Sequence, residues 1–545
     1  MRLLSRSPYA LLAFAAFAAA ADAQPQQALD VAELEARGVS IGNINVVVDN
    51  VFDPSNPDED KPLYRWANRV HMSTRPSVID NILLFEPGDI FQGRLLEESA
   101  RLLRSRGFVA EASALPANYD DGANTVDVNV RVRDAWSLEP DLKLSRSGGE
   151  NEYGIGITDD NLFGFGKTMT VSYSSDVDRD ERLFAYGDAN LAGSRTRLNL
   201  SLADTSDGKR ISVSAGRPFF ALDTRWSVTG SALDDQRVDS MYDLGEIVDE
   251  FRHDRRVFTL RGGRSRGLVD GRARRWLGGF SYEEDLFVPT QQTPSPVLLP
   301  ANRKLVYPWL GVQIVGDDFR EMTELNDMGR TEDISLGLEL FMSLGYASDS
   351  LASDRDATML NVTAKKGWEP GGSGRLLLLE TGLSARNEHK GIQNGVFYTS
   401  TRYYHRNLGK HLFSASLSTI LGKHLDAENQ VLLGGDSGLR GYPLRYQSGE
   451  RSAVLTLEQR FFTDWYPFRL IRVGYAVFAD AGRVWGRDPR GTPSQGMLYD
   501  VGIGLRLSSP RSSGRSVIHM DLAFPLNGDQ SIDNVQLIVE KKGSF

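Results

Sequence analysis

From Trp136 to Phe545 one pattern recurs: short runs in which apolar residues take every second position, parted by clusters of Gly, Asp, Asn and Arg. Met169, Val171 and Tyr173 alternate with Thr170, Ser172 and Ser174. Leu198, Leu200 and Leu202 alternate with Arg197, Asn199 and Ser201, and Ile211, Val213 and Ala215 with Arg210, Ser212 and Ser214. The longest stripe is Leu336, Leu338, Leu340, Met342, Leu344 and Tyr346; a late one is Val501, Ile503, Leu505 and Leu507. A period of two is the mark of a strand with two unlike faces. Helical periodicity is missing from this stretch.

In a soluble sandwich the apolar face of such strands meets a second sheet; in a transmembrane barrel it meets lipid. Alternating segments of roughly ten residues, joined by short turns and longer loops, are the signature of the barrel. Closure also satisfies every backbone hydrogen bond, which lipid cannot do. The start of the chain agrees. Arg2 and Arg6 precede an apolar stretch from Tyr9 to Ala21, and Ala21-Asp22-Ala23 supplies a small-x-small cleavage pattern. Residues 1–23 therefore read as a secretory signal peptide. The chain has no cysteine, so neither disulfides nor a lipoprotein anchor are available to it. The mean hydropathy of −0.32 excludes a polytopic helical membrane protein. A net charge of −10 disfavours a nucleic-acid partner. The expectation is a mainly β chain, a transmembrane antiparallel barrel of up to about 20 strands by count over residues 136–545. An even strand number puts both ends of the barrel in the periplasm.

Residues 24–40 read as a polar lead-in, and 41–134 as a small α+β domain of order β-α-α-β-β. Ile44, Val46 and Val48 mark a strand, and Pro62 to Met72 a first helix with Pro at its start. Arg94 to Arg106 predicts a second helix, with Leu95, Leu96, Ala100, Leu102 and Leu103 on one stripe and Gly107 at its stop. After the Asp120-Asp121-Gly122 turn, Val126, Val128, Val130 and Val132 alternate with Asp127, Asn129, Arg131 and Arg133, as in a half-buried strand.

Enzyme-like motifs fail on their surroundings. Gly435-Asp436-Ser437-Gly438 echoes a serine-protease nucleophile segment, but none of the seven histidines sits where a base would be needed. Gly166-Lys167-Thr168 opens a strand rather than a helix, so it offers phosphate no helix N-terminus. No HExxH or Cys/His metal pattern occurs. The reading is of a protein without catalytic residues and without a cofactor.

One segment is more distinctive. Gly438-Leu439-Arg440-Gly441-Tyr442 lies in a long inter-strand loop, and Phe478-Ala479-Asp480-Ala481-Gly482 in a later strand. Gly502-Ile503-Gly504-Leu505-Arg506 and Asp521-Leu522-Ala523-Phe524-Pro525-Leu526 follow, and the chain ends on Phe545 after Val535, Leu537 and Val539. In this order the motifs resemble the BamA/TamA superfamily of outer-membrane assembly and translocation proteins, in which POTRA domains precede a barrel. The resemblance implies about sixteen strands, a POTRA-like domain at 41–134, and a loop folded into the lumen. It implies an Arg440–Asp480 pair as a lock, with Gly438, Gly441, Tyr442, Phe478 and Gly482 around it. It also implies a C-terminal insertion signal of Leu537, Val539 and Phe545, and a location in the cell outer membrane with the N-terminal domain in the periplasm. The partners it implies are outer-membrane lipid and an unfolded or extended client polypeptide, which the barrel inserts or translocates after the POTRA-like domain receives it. Two other readings stay open on sequence alone: a passive outer-membrane channel or porin, and a secreted soluble β protein.

Overall fold

The computed structural model describes residues 30–372, 374–407, 409, 411–486, 496–530 and 532–543. The signal-peptide reading of residues 1–23 and the terminal Phe545 lie outside them.

The N-terminal domain is built on the valine alternation. β1 (Ser40–Asp49), β2 (Val109–Asp120) and β3 (Thr125–Asp134) form a sheet of order β1-β3-β2, with β1 parallel and β2 antiparallel to β3. Val126, Val128, Val130 and Val132 are fully buried, and the long helix α4 (Gly93–Arg104) adds Leu96 and Leu103 to the same core. The lead-in is more ordered than expected. α1 (Val31–Ala36) starts where the Asp30 side chain accepts the Ala32 N–H, and Leu34 joins the core. α2 (Pro62–Val70) follows the proline start, and a short α3 (Pro76–Asp80), also opened by proline, was not anticipated.

Among the described residues, twenty antiparallel strands then close into one barrel, from Leu138–Ser147 to Gln536–Gly543. The mainly β barrel behind an α+β domain is borne out. The sixteen strands implied by resemblance are exceeded by four, because the six hairpin-linked strands from Leu138 to Arg217 are short and consume few residues. The alternation expected from sequence sets the two faces: Val501, Ile503 and Leu505 point outward and are exposed, while Asp500 and Arg506 are buried in the lumen. Leu142, Leu144, Ile155, Leu310 and Leu344 are all more than half exposed on the outer wall, an apolar belt that requires lipid. Trp226, Trp276, Trp368 and Trp465 stand exposed near the strand ends on the side of the N-terminal domain, as an interfacial girdle does.

The six-residue leucine stripe is divided. Only Leu340 to Tyr346 lie in a wall strand, Glu339–Ala347. Leu336 closes an insertion between the strands Arg303–Gly316 and Glu339–Ala347, whose core is the hairpin Phe319–Thr323 with Thr331–Ser335. The hairpin tip crosses the barrel mouth on the side of the N-terminal domain. Leu325 and Met328 are buried with Leu336, Leu376, Tyr404, Leu412, Phe462 and Val517, which line the lumen from several walls.

The N-terminal domain seats against this mouth. Arg104 forks onto Asp333 of the hairpin at 2.9 and 2.6 Å and reaches Glu321 at 2.6 Å. Arg330 of the hairpin donates to the Val109 carbonyl at 2.9 Å. Other turns join in: Arg75 donates its N–H to Gly164, Glu98 accepts from Leu222, Arg94 pairs with Asp223, and Arg511 donates to the Val51 carbonyl.

Candidate functional site

The loop from 424 to 450 leaves the end of the wall opposite the N-terminal domain and turns back into the barrel. A two-stranded sheet, Val431–Leu433 with Gln447–Gly449, forms its neck. Leu433, Leu439, Tyr442 and Tyr446 bury against Val484, Leu498 and Ile532. That burial, not the ion pairs alone, makes the inward path of the loop favourable. Ser437, from the protease-like segment, spends its hydroxyl on the turn, where it accepts the Gly434 N–H at 2.8 Å.

Two glycines make the descent possible. Gly438 has φ +107, a conformation that side chains resist. Gly441 lies so close to the wall that a Cβ there would stand 2.7 Å from the Asp500 Cβ. Gly482 has ordinary backbone, but its bare face admits Leu433 and Leu439.

Arg440 is delivered to the lumen centre, 5% exposed. Its Nε donates to Asp480 Oδ2 at 2.7 Å and its Nη2 to Asp480 Oδ1 at 3.1 Å, a two-pronged fit. Its Nη1 reaches Glu458 at 3.1 Å and Asp521 at 3.0 Å. The guanidinium stacks over Phe478, 3.3 Å from the ring centroid. The Gly441 N–H donates to Asp500 at 3.0 Å. The Tyr442 hydroxyl lies 2.8 Å from the Tyr499 carbonyl and 2.9 Å from that of Asn527, and accepts the Tyr499 N–H at 3.2 Å. Higher up, Arg445 forks onto Asp178 at 2.7 and 2.6 Å in the turn after strand Lys167–Ser175, and holds that carboxyl below its usual range.

The sequence missed most of the partners. Glu458, Asp500, Asp521 and Arg506 complete the cluster; Arg506 donates to Glu458 at 2.8 Å and pairs with Asp521. Each is a charged residue at an inward position among outward apolar ones, which alternation alone could have flagged. Arg460 then extends the chain downward. Its Nε donates to Glu458 Oε1 at 2.7 Å, and its Nη1 to the Leu325 carbonyl of the hairpin in the mouth at 2.6 Å. One path of charge-assisted bonds thus links the 424–450 loop to the plug in the opposite mouth.

The barrel seam lies elsewhere. Within the described residues, Gln536–Gly543 meets Leu138–Ser147 through one registered pair, Val539 with Arg146, whereas its other edge is registered from Gly543 to Gln536. Leu537 faces outward, 43% exposed.

A family profile described as Omp85 superfamily domain matches residues 391–539, which span the loop, the buried cluster and the last strands. A second profile, POTRA (surface antigen variable number repeat), matches residues 71–135. A search of curated proteins finds no match. Among solved structures, CdiB from Acinetobacter baumannii is 14% identical with a TM-score of 0.45, covering 92% of this chain and 73% of that one. CdiB from Escherichia coli is 12% identical at 0.45, covering 91% and 75%. BamA from Haemophilus ducreyi lacking POTRA domains 1–3 is 12% identical at 0.38, covering 91% and 84%.

Proposed function

We propose, from the premise that this chain belongs to the Omp85 superfamily, that it is an outer-membrane barrel that inserts or translocates a client polypeptide and is closed at rest. The observation that carries the reading is the unequal closure of the ring. The lumen is occupied from both ends, by the 424–450 loop and by the hairpin with the N-terminal domain beneath it. The wall is weakest at the Val539–Arg146 seam. A passive porin needs an open lumen, and a soluble β protein has no use for the apolar belt. The loop lock is assigned to Arg440 and Asp480, with Gly438, Gly441, Tyr442, Phe478 and Gly482 as its fitted surroundings. Leu537, Val539 and Phe545 are assigned to the insertion signal. The POTRA repeat is assigned to client reception by strand addition, a mode that needs little side-chain specificity.

The absence of native cysteine makes the test clean. In cells depleted of the wild-type protein, at least one outer-membrane or secreted polypeptide should fall, and the Arg146→Cys/Val539→Cys variant should restore it under reducing conditions. Failure of the oxidised variant alone would favour lateral release through the seam; rescue in both states would favour passage through the lumen. An unchanged protein profile on depletion would contradict the proposal.

A further inference from the structure

The N-terminal domain carries an exposed apolar stripe that its own core does not use. On α2, Tyr64 and Ala67 bury against Val51 and Phe52, with Trp136 and Leu470 packed on the same cluster. On the adjacent face of the helix, Leu63, Trp66 and Val70 are 54%, 58% and 47% exposed, and Met72 just beyond is exposed as well. The spacing i, i+3, i+7 makes them one continuous ridge. Lys61, Arg65 and Arg69 are exposed on the side of the helix away from Tyr64 and Ala67, with Arg65 paired to Asp60 at 2.6 Å.

The surroundings of the ridge identify what covers it. The Tyr64 hydroxyl donates to the Phe468 carbonyl at 2.7 Å, and Arg469 pairs with Asp58. Both contacts are made to the periplasmic turn between strands Arg451–Phe462 and Arg472–Trp485. That turn exposes Trp465 and Phe468, 66% and 74%. Just inside it, Phe461 stacks on the outward-facing Tyr475 with ring centroids 4.8 Å apart. The helix that carries the ridge is therefore tied to the turn that bears part of the aromatic girdle. An apolar ridge with basic residues on the same helix at that level has the composition of an interfacial helix, which buries its apolar side roughly 5–10 Å into the headgroup boundary. Lys and Arg beside it meet the phosphates of anionic lipid.

We propose that α2 docks on the inner leaflet of the outer membrane through Leu63, Trp66 and Val70, with a phospholipid surface as its partner. The membrane thereby holds the N-terminal domain on the side of the strands Arg451–Phe462 and Arg472–Trp485, while the hairpin holds it at the mouth. The inference is independent of what the barrel transports.

Leu63→Cys and Val70→Cys, each spin-labelled in the full chain, test this in vesicles of phosphatidylethanolamine and phosphatidylglycerol. Ile503→Cys on the lipid-facing wall calibrates the membrane. Ala123→Cys calibrates water, since it lies in the turn at the far end of the β2–β3 hairpin from the barrel. Labels at 63 and 70 should be several-fold more accessible to oxygen than to a water-soluble nickel complex, as at 503. Adding Trp66→Ser should return the label at 70 toward the value at 123. Labels at 63 and 70 that match 123 in vesicles would overturn the proposal. So would labels shielded only after an unfolded polypeptide is added, since the ridge would then be a client site.

Discussion

Arg440→Ala is expected to cause the largest loss of stability of any single lumen substitution. In unboiled electrophoresis of membrane-extracted protein, the compact band should convert to the unfolded position at a clearly lower temperature than wild type. The reason is what the substitution leaves behind. Asp480, Glu458 and Asp521 all point at the guanidinium, and Asp500 is registered directly opposite Asp480. Without Arg440 these buried carboxylates face one another with Arg506 and Arg460 as the remaining cations nearby. Removing one partner of a buried pair costs about 3–5 kcal/mol, because the other charge stays desolvated. Arg440→Lys should recover part of the loss and not all of it. An ammonium keeps the charge but cannot fork onto Asp480 while reaching Glu458 and Asp521, nor stack on Phe478. Equal conversion temperatures for wild type, lysine and alanine variants would show that the apolar loop contacts alone hold the loop, and would remove the ion cluster from the account.

Replacing residues 317–338 with a short Gly-Ser turn is expected to have the largest effect on permeability. The deletion removes Leu325 and Met328 from the periplasmic mouth. It also removes the partners of Arg104 and the Arg330 bond to Val109, so the N-terminal domain loses its hold on that side. In planar bilayers the shortened protein should show frequent openings where wild type is quiet. Arg460→Ala should give a weaker form of the same behaviour, since it severs the Leu325 contact and leaves the hairpin in place. Bilayer traces indistinguishable from wild type for the deletion would mean that the 424–450 loop seals the lumen unaided.

The period-two pattern disclosed the barrel because one physical constraint, lipid outside and lumen inside, acts on every strand alike. Val501 to Leu507 and Ile211 to Ala215 lie in wall strands with the alternation read from sequence. The same rule misled at Leu336. Three residues before the wall strand resumes, it is turned into the mouth by the hairpin, where Leu336 donates its N–H to the Asp318 carbonyl. Nothing in the polar run from Phe319 to Ser335 announces a plug, since its packing partners lie as far off in sequence as Val517. The α1 helix was missed for a similar reason: a six-residue helix with one buried side chain, Leu34, has no periodicity to detect.

The candidate site was legible in part. Arg440 and Asp480 came from motif resemblance, and the local geometry of Phe478 beside Asp480 from alternation. The rest of the cluster depends on barrel register. Asp521 faces Arg440 only because the strands Leu498–Ser508 and Ser516–Pro525 are paired with Gly504 opposite Asp521, where the absent side chain leaves room for the carboxylate. A register of that kind is fixed by ring closure and is not written in any one strand.

The most direct test of the central claim is the single-channel conductance of the purified wild-type protein in a planar bilayer. A barrel closed from both ends should show a silent baseline, broken by openings once an unfolded client polypeptide is added on the periplasmic side. A large, steady conductance without client would contradict the account and identify a passive channel.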